Sequence, residues 1–383
     1  MKASFRLGRV MGIEIGIHVS WLIIFALLTW SLAAAYYPQL YPGWDSLTYW
    51  TLGVLSSLLL FASVLAHELG HSWVAIRRGI PVKSITLFIF GGAASITKEA
   101  ETPSSELFMA VSGPAVSFAL ALIFWLVYFL TQGTSEVIGA MALYLAQINA
   151  ILGAFNLVPG FPLDGGRVLR AVLWGMTKNF RQATRIASVT GQGFAYFLIF
   201  GGIATAFIVG WLGGLWLAFI GWFLATAAKA SYRQMVVSEI LRGASVREIM
   251  SSDFKSIEPN VSLQQALDDY MMPFSQRTLP VSQWGRLLGL ITLTDIKKTP
   301  RQLWSSTPVS EVMTRTDELK TVSRDDDLNT VLQYLQSQDL NQLPVMQAGE
   351  LVGMVTRSDL IRYLQLRQEI DVRATAKGAD KQD

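Results

Sequence analysis

Apolar positions divide the 383-residue chain into two regimes. Up to about residue 230, apolar stretches near the roughly 20 residues a helix needs to cross a bilayer recur six times. They cover about 16–36, 51–75, 106–130, 136–157, 190–209 and 212–228. Two segments between them break the pattern. Residues 80–97 alternate partly and carry Gly91-Gly92, which predicts a β-hairpin or small sheet at a membrane face. Residues 158–166, rich in Pro and Gly, predict a loop that breaks the end of the fourth span.

Six spans put both termini on one side, and charge says which. Lys2, Arg6 and Arg9 precede the first span. Arg77, Arg78 and Lys83 follow the second. Arg167, Arg170, Lys178, Arg181 and Arg185 lie between the fourth and fifth, and Lys229 and Arg233 follow the sixth. The opposite loops, 37–50, 131–135 and 210–211, hold no Lys or Arg. By the positive-inside rule, both termini are expected in the cytoplasm. The first apolar run leads into Tyr36-Tyr37-Pro38 without a small-residue cleavage site, so it reads as a retained span.

Composition agrees with a membrane protein. Hydrophobic residues make up 51% and charged residues only 15%, against about 25% in a soluble domain. Mean hydropathy is +0.38. A net charge of +3 without a basic cluster excludes a nucleic-acid reader. The absence of cysteine excludes disulfides, thiolate catalysis and Cys-ligated metals. Any histidine-based site must use His18, His67 or His71.

Beyond residue 238 the chain reads as soluble and repeats itself. Val246-Arg247-Glu248-Ile249-Met250 matches Val309-Ser310-Glu311-Val312-Met313. Leu279-Pro280-Val281 matches Leu343-Pro344-Val345, and Gly289 to Asp295 matches Gly353 to Asp359. Each copy predicts strand, helix, strand, strand, helix. The expected organisation is a membrane domain at 1–235, a linker at 236–243, repeat units at 244–299 and 306–367, and a disordered polar tail at 368–383.

The sharpest chemistry is His67-Glu68-Leu69-Gly70-His71. On a helix, residues four apart share a face, so both imidazoles can reach one metal, and the adjacent Glu can serve as general base. Ten residues separate His67 from Arg77, placing it about 15 Å inside the cytoplasmic end of the second span. Ionisable residues at such depth point to function. A catalytic zinc needs a third protein ligand and an open position. Asp164 is the leading candidate; its other reading is an N-cap before Gly165-Gly166-Arg167. His18 reads as interfacial or as a residue near the metal.

The membrane half resembles the site-2 protease family of intramembrane zinc metalloproteases. H-E-x-x-H in one span, and Asn156-x-x-Pro159 leading to Leu163-Asp164-Gly165 at a later one, are that family's two signatures. Gly113-Pro114-Ala115-Val116-Ser117 fits its third-span motif, and Phe90-Gly91-Gly92-Ala93 its Gly-Gly hairpin. The resemblance implies one Zn2+ per chain on His67, His71 and Asp164, with Glu68 catalytic and Asn156 and Pro159 holding substrate. It implies hydrolysis of membrane proteins within or near a transmembrane segment, as in regulated intramembrane proteolysis. An unwound substrate would find backbone partners at the edge of the 80–97 sheet.

The repeat resembles a pair of cystathionine-β-synthase (CBS) domains. That resemblance implies adenine-nucleotide binding at Thr292, Asp295, Thr356 and Asp359, and pairing into a homodimer. Asp295 and Asp359 can equally cap the helices that follow them. The expected whole is a multi-pass α-helical membrane protein with six spans and a small sheet, joined to a cytoplasmic α/β CBS pair in a prokaryotic cell membrane. Its partners are the lipid bilayer and a membrane-protein substrate, with no nucleic acid. A CBS-gated transporter or channel accounts for the spans and repeat but not for H-E-x-x-H. A non-proteolytic membrane binder leaves Glu68 without a purpose.

Overall fold

The computed structural model describes residues 4–89, 91–96, 100–210, 213–274, 276–337 and 340–379. Lys2, Phe90, Thr97, Trp211, Leu212 and residues 380–383, which enter the expectations above, lie outside them. The chain forms two compact units, Met1–Arg233 and Gln234–Asp383.

Among the described residues, six helical segments are long and apolar enough to cross a membrane. The first joins α1 (Ser20–Ser31), a π-wound turn (Leu32–Tyr36) and α2 (Tyr37–Leu40). The others are α3 (Ser46–Arg77), α4 (Pro103–Thr131), α5 (Glu136–Asn156), α7 (Phe180–Ile208) and α8 (Gly213–Leu241). Between α5 and α7 lies a shorter helix, α6 (Asp164–Thr177). Large apolar side chains such as Leu27, Trp30, Phe129, Phe200 and Phe207 stay exposed on these helices, which suits lipid rather than water around them. Polar caps set the starts: Asp45 accepts from Thr48 N–H at 3.0 Å, and Asn179 from Gln182 N–H at 2.9 Å.

Two span boundaries move. The fifth helix begins at Phe180 rather than 190, because its polar first third buries Ala183, Thr184, Ala187 and Ser188. The sixth runs through most of the expected 236–243 linker, with Met235 and Leu241 buried on it.

The expected hairpin exists as β3 (Val82–Phe88) and β4 (Gly91–Ile96), but the sheet is larger. β1 (Phe5–Val10) and β2 (Ile13–Ile17) form a second hairpin, giving the order β1-β2-β3-β4 with β2 parallel to β3. The N-terminus is therefore not only a basic flank. Ile13 and Ile15 pack with Ala75, Ile80, Val82, Ile85 and Met109, which seats the sheet against α3 and α4. β4 is an edge strand.

In the second unit, α9 (Leu263–Gln265) continues into a π-wound turn (Ala266–Met271). β5 (Thr278–Gln283), β6 (Arg286–Thr292), α10 (Leu293–Lys298) and β7 (Thr314–Arg315) follow. The second copy contains β8 (Val322–Ser323), α11 (Leu328–Ser337), β9 (Gln342–Gln347), β10 (Glu350–Thr356) and α12 (Arg357–Ala379). The sheets are ordered β5-β6-β7 and β10-β9-β8.

The repeat units exchange their leading segments. Ala244 and Val246 are buried with Val322, Leu328, Leu343 and Val355 of the second copy. Val309 is buried with Ile257, Leu263, Leu279 and Ile291 of the first, and β7 pairs with β6. Each core is thus built mainly from its own sequence unit, 244–299 or 306–367, and completed by the leading segment of the other. The expected tail from 368 is helical through Ala379, a run with no proline and a single glycine, Gly378.

Candidate active site

Three helices of the first unit converge on one point. α3 carries His67, Glu68 and His71 on consecutive turns. α6 brings Asp164, and α4 supplies the surface behind both imidazoles. Asp164 is the first residue of α6 and Leu163 is the N-cap, so the carboxylate is not used as a cap. It turns instead toward α3: its Oδ2 lies 3.2 Å from His67 Nε2 and 3.1 Å from His71 Nε2. The two Nε2 atoms are 3.2 Å apart.

Each imidazole is aimed from behind by α4. His71 Nδ1 lies 2.6 Å from the Met109 carbonyl, which can only accept, so Nδ1 carries the proton. Its Nε2 then presents a lone pair. His67 Nδ1 lies 2.9 Å from Ser117 Oγ. Glycines make this approach feasible. A Cβ on Gly70 would stand 2.8 Å from Val116 Cγ2 and 3.1 Å from Ser112 O, and a Cβ on Gly113 would collide with both Nε2 atoms. The Gly113–Ser117 motif thus clears and orients one side of the centre.

This arrangement fits a bound cation. A carboxylate oxygen and an imidazole lone pair at 3.1 Å repel each other unless something positive lies between them. Two nitrogen donors and one carboxylate oxygen, with no thiolate, match the donor set of a catalytic zinc. His67 and His71 are buried and Asp164 is half-buried.

Glu68 stands beside this cluster, half-buried, against β4. A Cβ on Gly92 would lie 3.0 Å from Glu68 Cδ and 3.1 Å from Oε1, so the Gly-Gly hairpin lets the sheet edge come up to this carboxylate. The loop carrying Asp164 is packed backbone to backbone. Phe161 N–H donates to Ala187 O at 3.2 Å, and Cβ atoms on Gly160, Gly165, Gly166 or Gly191 would collide with main chain. The Phe161–Pro162 bond is cis.

The remaining expected residues are placed as follows. Asn156 ends α5, half-buried, and Pro159 is exposed in the loop before Asp164. His18 sits at the start of α1. Its Nδ1 accepts the Ser20 N–H at 3.2 Å and lies 2.8 Å from Ser20 Oγ, so that lone pair is occupied locally. In the second unit, Thr292 and Asp295 form a capping box, with Asp295 Oδ2 accepting from Thr292 Oγ1 at 2.6 Å. Asp295 Oδ1 accepts from Lys298 at 2.7 Å. Thr356 and Asp359 form the same box at 2.6 Å.

Sequence reasoning passed over one feature, an ion pair behind α6. Glu106 on α4 is 1% exposed and binds Arg170 of α6, whose Nε donates to Oε1 at 2.7 Å. The signal was present as an acid at the start of an apolar span and an Arg six residues after Asp164.

The profile of peptidase family M50 matches residues 55–142 and 134–200, and the CBS-domain profile matches 246–301 and 309–366. A protein of Synechocystis sp., sll0528, is 38% identical over 95% of this chain and 96% of its own length. The chain belongs to the M50, or site-2 protease, family. It is a zinc metalloprotease of that type, with a CBS pair after its membrane helices. The Synechocystis relative is itself provisionally named a zinc metalloprotease. Zinc metalloprotease MJ0392 of Methanocaldococcus jannaschii is 29% identical over 97% of this chain and 99% of that one. A solved site-2 protease from the same archaeon is 28% identical, covers 59% of this chain and 94% of its own, and superposes with a TM-score of 0.40.

Proposed function

We propose that this M50 protease hydrolyses a peptide bond within or near a transmembrane segment of a membrane-protein substrate, as a step of regulated intramembrane proteolysis. His67, His71 and Asp164 hold one zinc, and Glu68 is the general base. The observation that carries this reading is the convergence of His67 Nε2, His71 Nε2 and Asp164 Oδ2 beside Glu68.

Zinc bound there supplies Lewis acidity, acidifying water and polarising a carbonyl. Glu68 takes the proton of the attacking water and delivers it to the leaving amine. Met109 O and the Ser117 hydroxyl keep the imidazoles oriented through the cycle. A substrate helix must unwind to expose its carbonyls, and the freed backbone needs partners. The outer edge of β4, with Gly92 against Glu68, offers them by strand addition. Asn156 and Pro159, at the entrance to the Asp164 loop, steady the unwound segment.

The finer parts of the reading are a prokaryotic cell membrane, cytoplasmic termini, a CBS-mediated homodimer and an adenine nucleotide at the CBS pair. Thr292, Asp295, Thr356 and Asp359 are the residues proposed to meet that nucleotide. The nucleotide alters activity only as far as it prefers one state of the enzyme.

The test compares wild type, Glu68→Gln and Asp164→Ala for zinc per chain and for cleavage of a tagged single-pass membrane reporter. Wild type and Glu68→Gln should each hold about one zinc, but only wild type should cut, by a margin of at least ~10²-fold. Asp164→Ala should lose most of its zinc. Cleavage that survives Glu68→Gln would refute the mechanism.

A further inference from the structure

One stripe of α4 touches everything that aims the metal ligands. Ser117 meets His67, and the Met109 carbonyl meets His71. Gly113 clears the space between them. One turn before Met109, Glu106 continues the same face. It does not reach a ligand directly; it grips Arg170, on the helix that begins with Asp164. We infer that the Glu106–Arg170 ion pair is the positioning device for Asp164, so that a single helix face orients all three ligands. This inference rests on the zinc site proposed above.

Several observations support a built device. Glu106 is 1% exposed, so losing its partner would leave an uncompensated buried charge. Both Arg170 Nε and Arg170 Nη2 converge on Glu106 Oε1, and Arg167 Nε stands 4.0 Å from the same oxygen. Arg170 is also held between two rings, 5.0 Å from Phe161 and 4.7 Å from Phe180. Phe161 belongs to the loop that delivers Asp164, and Phe180 begins α7. Arg170 therefore ties α6 to α4, to its own entry loop and to the next helix. Glu106 Oε2 is buried and has no hydrogen-bond partner among the described residues, so the pair is not simply satisfied packing. Its geometry favours the grip on α6 over full solvation of the carboxylate.

A pure packing role and a positioning role give different results. The full chain is purified in detergent, and its zinc affinity is measured by competition with a chromophoric chelator. Wild type is compared with Glu106→Gln, Arg170→Lys and the charge-free double variant Glu106→Gln/Arg170→Gln. Apo and zinc-loaded melting temperatures are recorded beside each. Groups bonded directly to metal ligands are worth about 10- to 100-fold in affinity; Glu106 acts one step further out, through Arg170 and α6, so a loss at the lower end, about 10-fold, is expected here. The same changes are then made in Asp164→Ala. If Glu106 acts through Asp164, they have no further effect on the weak residual binding by the two histidines.

Unchanged zinc affinity in the folded variants would overturn the inference. So would an equal loss in the Asp164→Ala background, which would mean that α4 had shifted as a whole. The double variant leaves no unpaired buried charge, so it keeps the test open should a single variant fail to fold. Absence of zinc from wild type would instead overturn the reading of the site itself.

Discussion

Gly92 lies against Glu68 and Gly113 against His67 and His71, so the two glycines separate the two chemical tasks proposed for the cluster. Neither has a positive φ, so their value lies in the missing Cβ rather than in backbone freedom. At Gly113 the added methyl would fall between the lone pairs of His67 and His71. Gly113→Ala should therefore lower zinc occupancy well below one per chain, read by metal analysis of the purified protein, with cleavage falling in proportion. At Gly92 the methyl would meet the Glu68 side chain while the histidines stay untouched. Gly92→Ala should keep its zinc and lose about 10²-fold or more in cleavage rate, the scale of a displaced general base. Equal zinc loss in both variants would show that the hairpin supports the ligands and not Glu68. The cluster proposed to hold zinc was legible in the sequence because the spacing of H-E-x-x-H puts His67 and His71 on one helix face, where they meet Asp164. The groups that aim them were less so. A main-chain carbonyl such as Met109 O carries no residue signature, and Ser117 shows its purpose only when α4 lies against α3.

At the scale of elements, β4 decides whether the proposed zinc site could meet an extended substrate. Its inner side pairs with β3 through Thr86↔Ala93 and Ile85↔Ala94, and among the described residues no strand pairs with its outer side. Successive N–H groups in such a strand alternate between the two sides. Single Pro substitutions at Ala93, Ala94 and Ser95 should therefore split by parity. Where the N–H points outward, the protein stays folded by circular dichroism but loses cleavage of the membrane reporter. Where it points inward, the sheet itself weakens. An outward-facing Pro with wild-type cleavage would remove strand addition from the mechanism. The sequence announced this hairpin through Gly91-Gly92, yet it concealed the β1-β2 hairpin. Basic residues at Arg6 and Arg9 made the N-terminus read as a flank, although Ile13, Ile15 and Ile17 alternate beside Gly12, whose φ is +80°. The way the two copies share their cores was hidden for a different reason. Internal repeats fix which residues correspond, but not which copy's core receives them, and Val246 and Val309 are each buried in the other copy's cluster.

For the whole molecule, the proposed chemistry requires a definite orientation, because His67 and His71 lie toward the helix end that Arg77 and Arg78 close. Arg77 and Arg78 close α3, ten and eleven residues beyond His67, and α6 with its arginines lies on the same side by connectivity. The ends on the other side hold Asp45, Glu136 and a cluster of Tyr37, Trp44, Tyr49 and Tyr144, and no Lys or Arg among residues 37–50 or 131–135. A bilayer carrying anionic lipid and an inside-negative potential favours the basic ends inward, at about 1 kcal/mol per cation near the surface. The ends thus differ by many cations, enough to outweigh any single one. The chain contains no cysteine, so the native protein is already the background for site-specific labelling. Thr134→Cys, exposed in the α4–α5 connection, should react with a membrane-impermeant maleimide on intact cells. Gln182→Cys at the start of α7 and Ser252→Cys in the second unit, both exposed, should react only in inverted vesicles. The reverse pattern would put the metal centre near the outer face. Substrates would then be cut on the side away from the cytoplasm, and a CBS pair there would have no access to cytoplasmic nucleotides. Labelling as expected would place the proposed cleavage product and the proposed nucleotide site in the same compartment, which is what coupling proteolysis to a cytoplasmic signal requires.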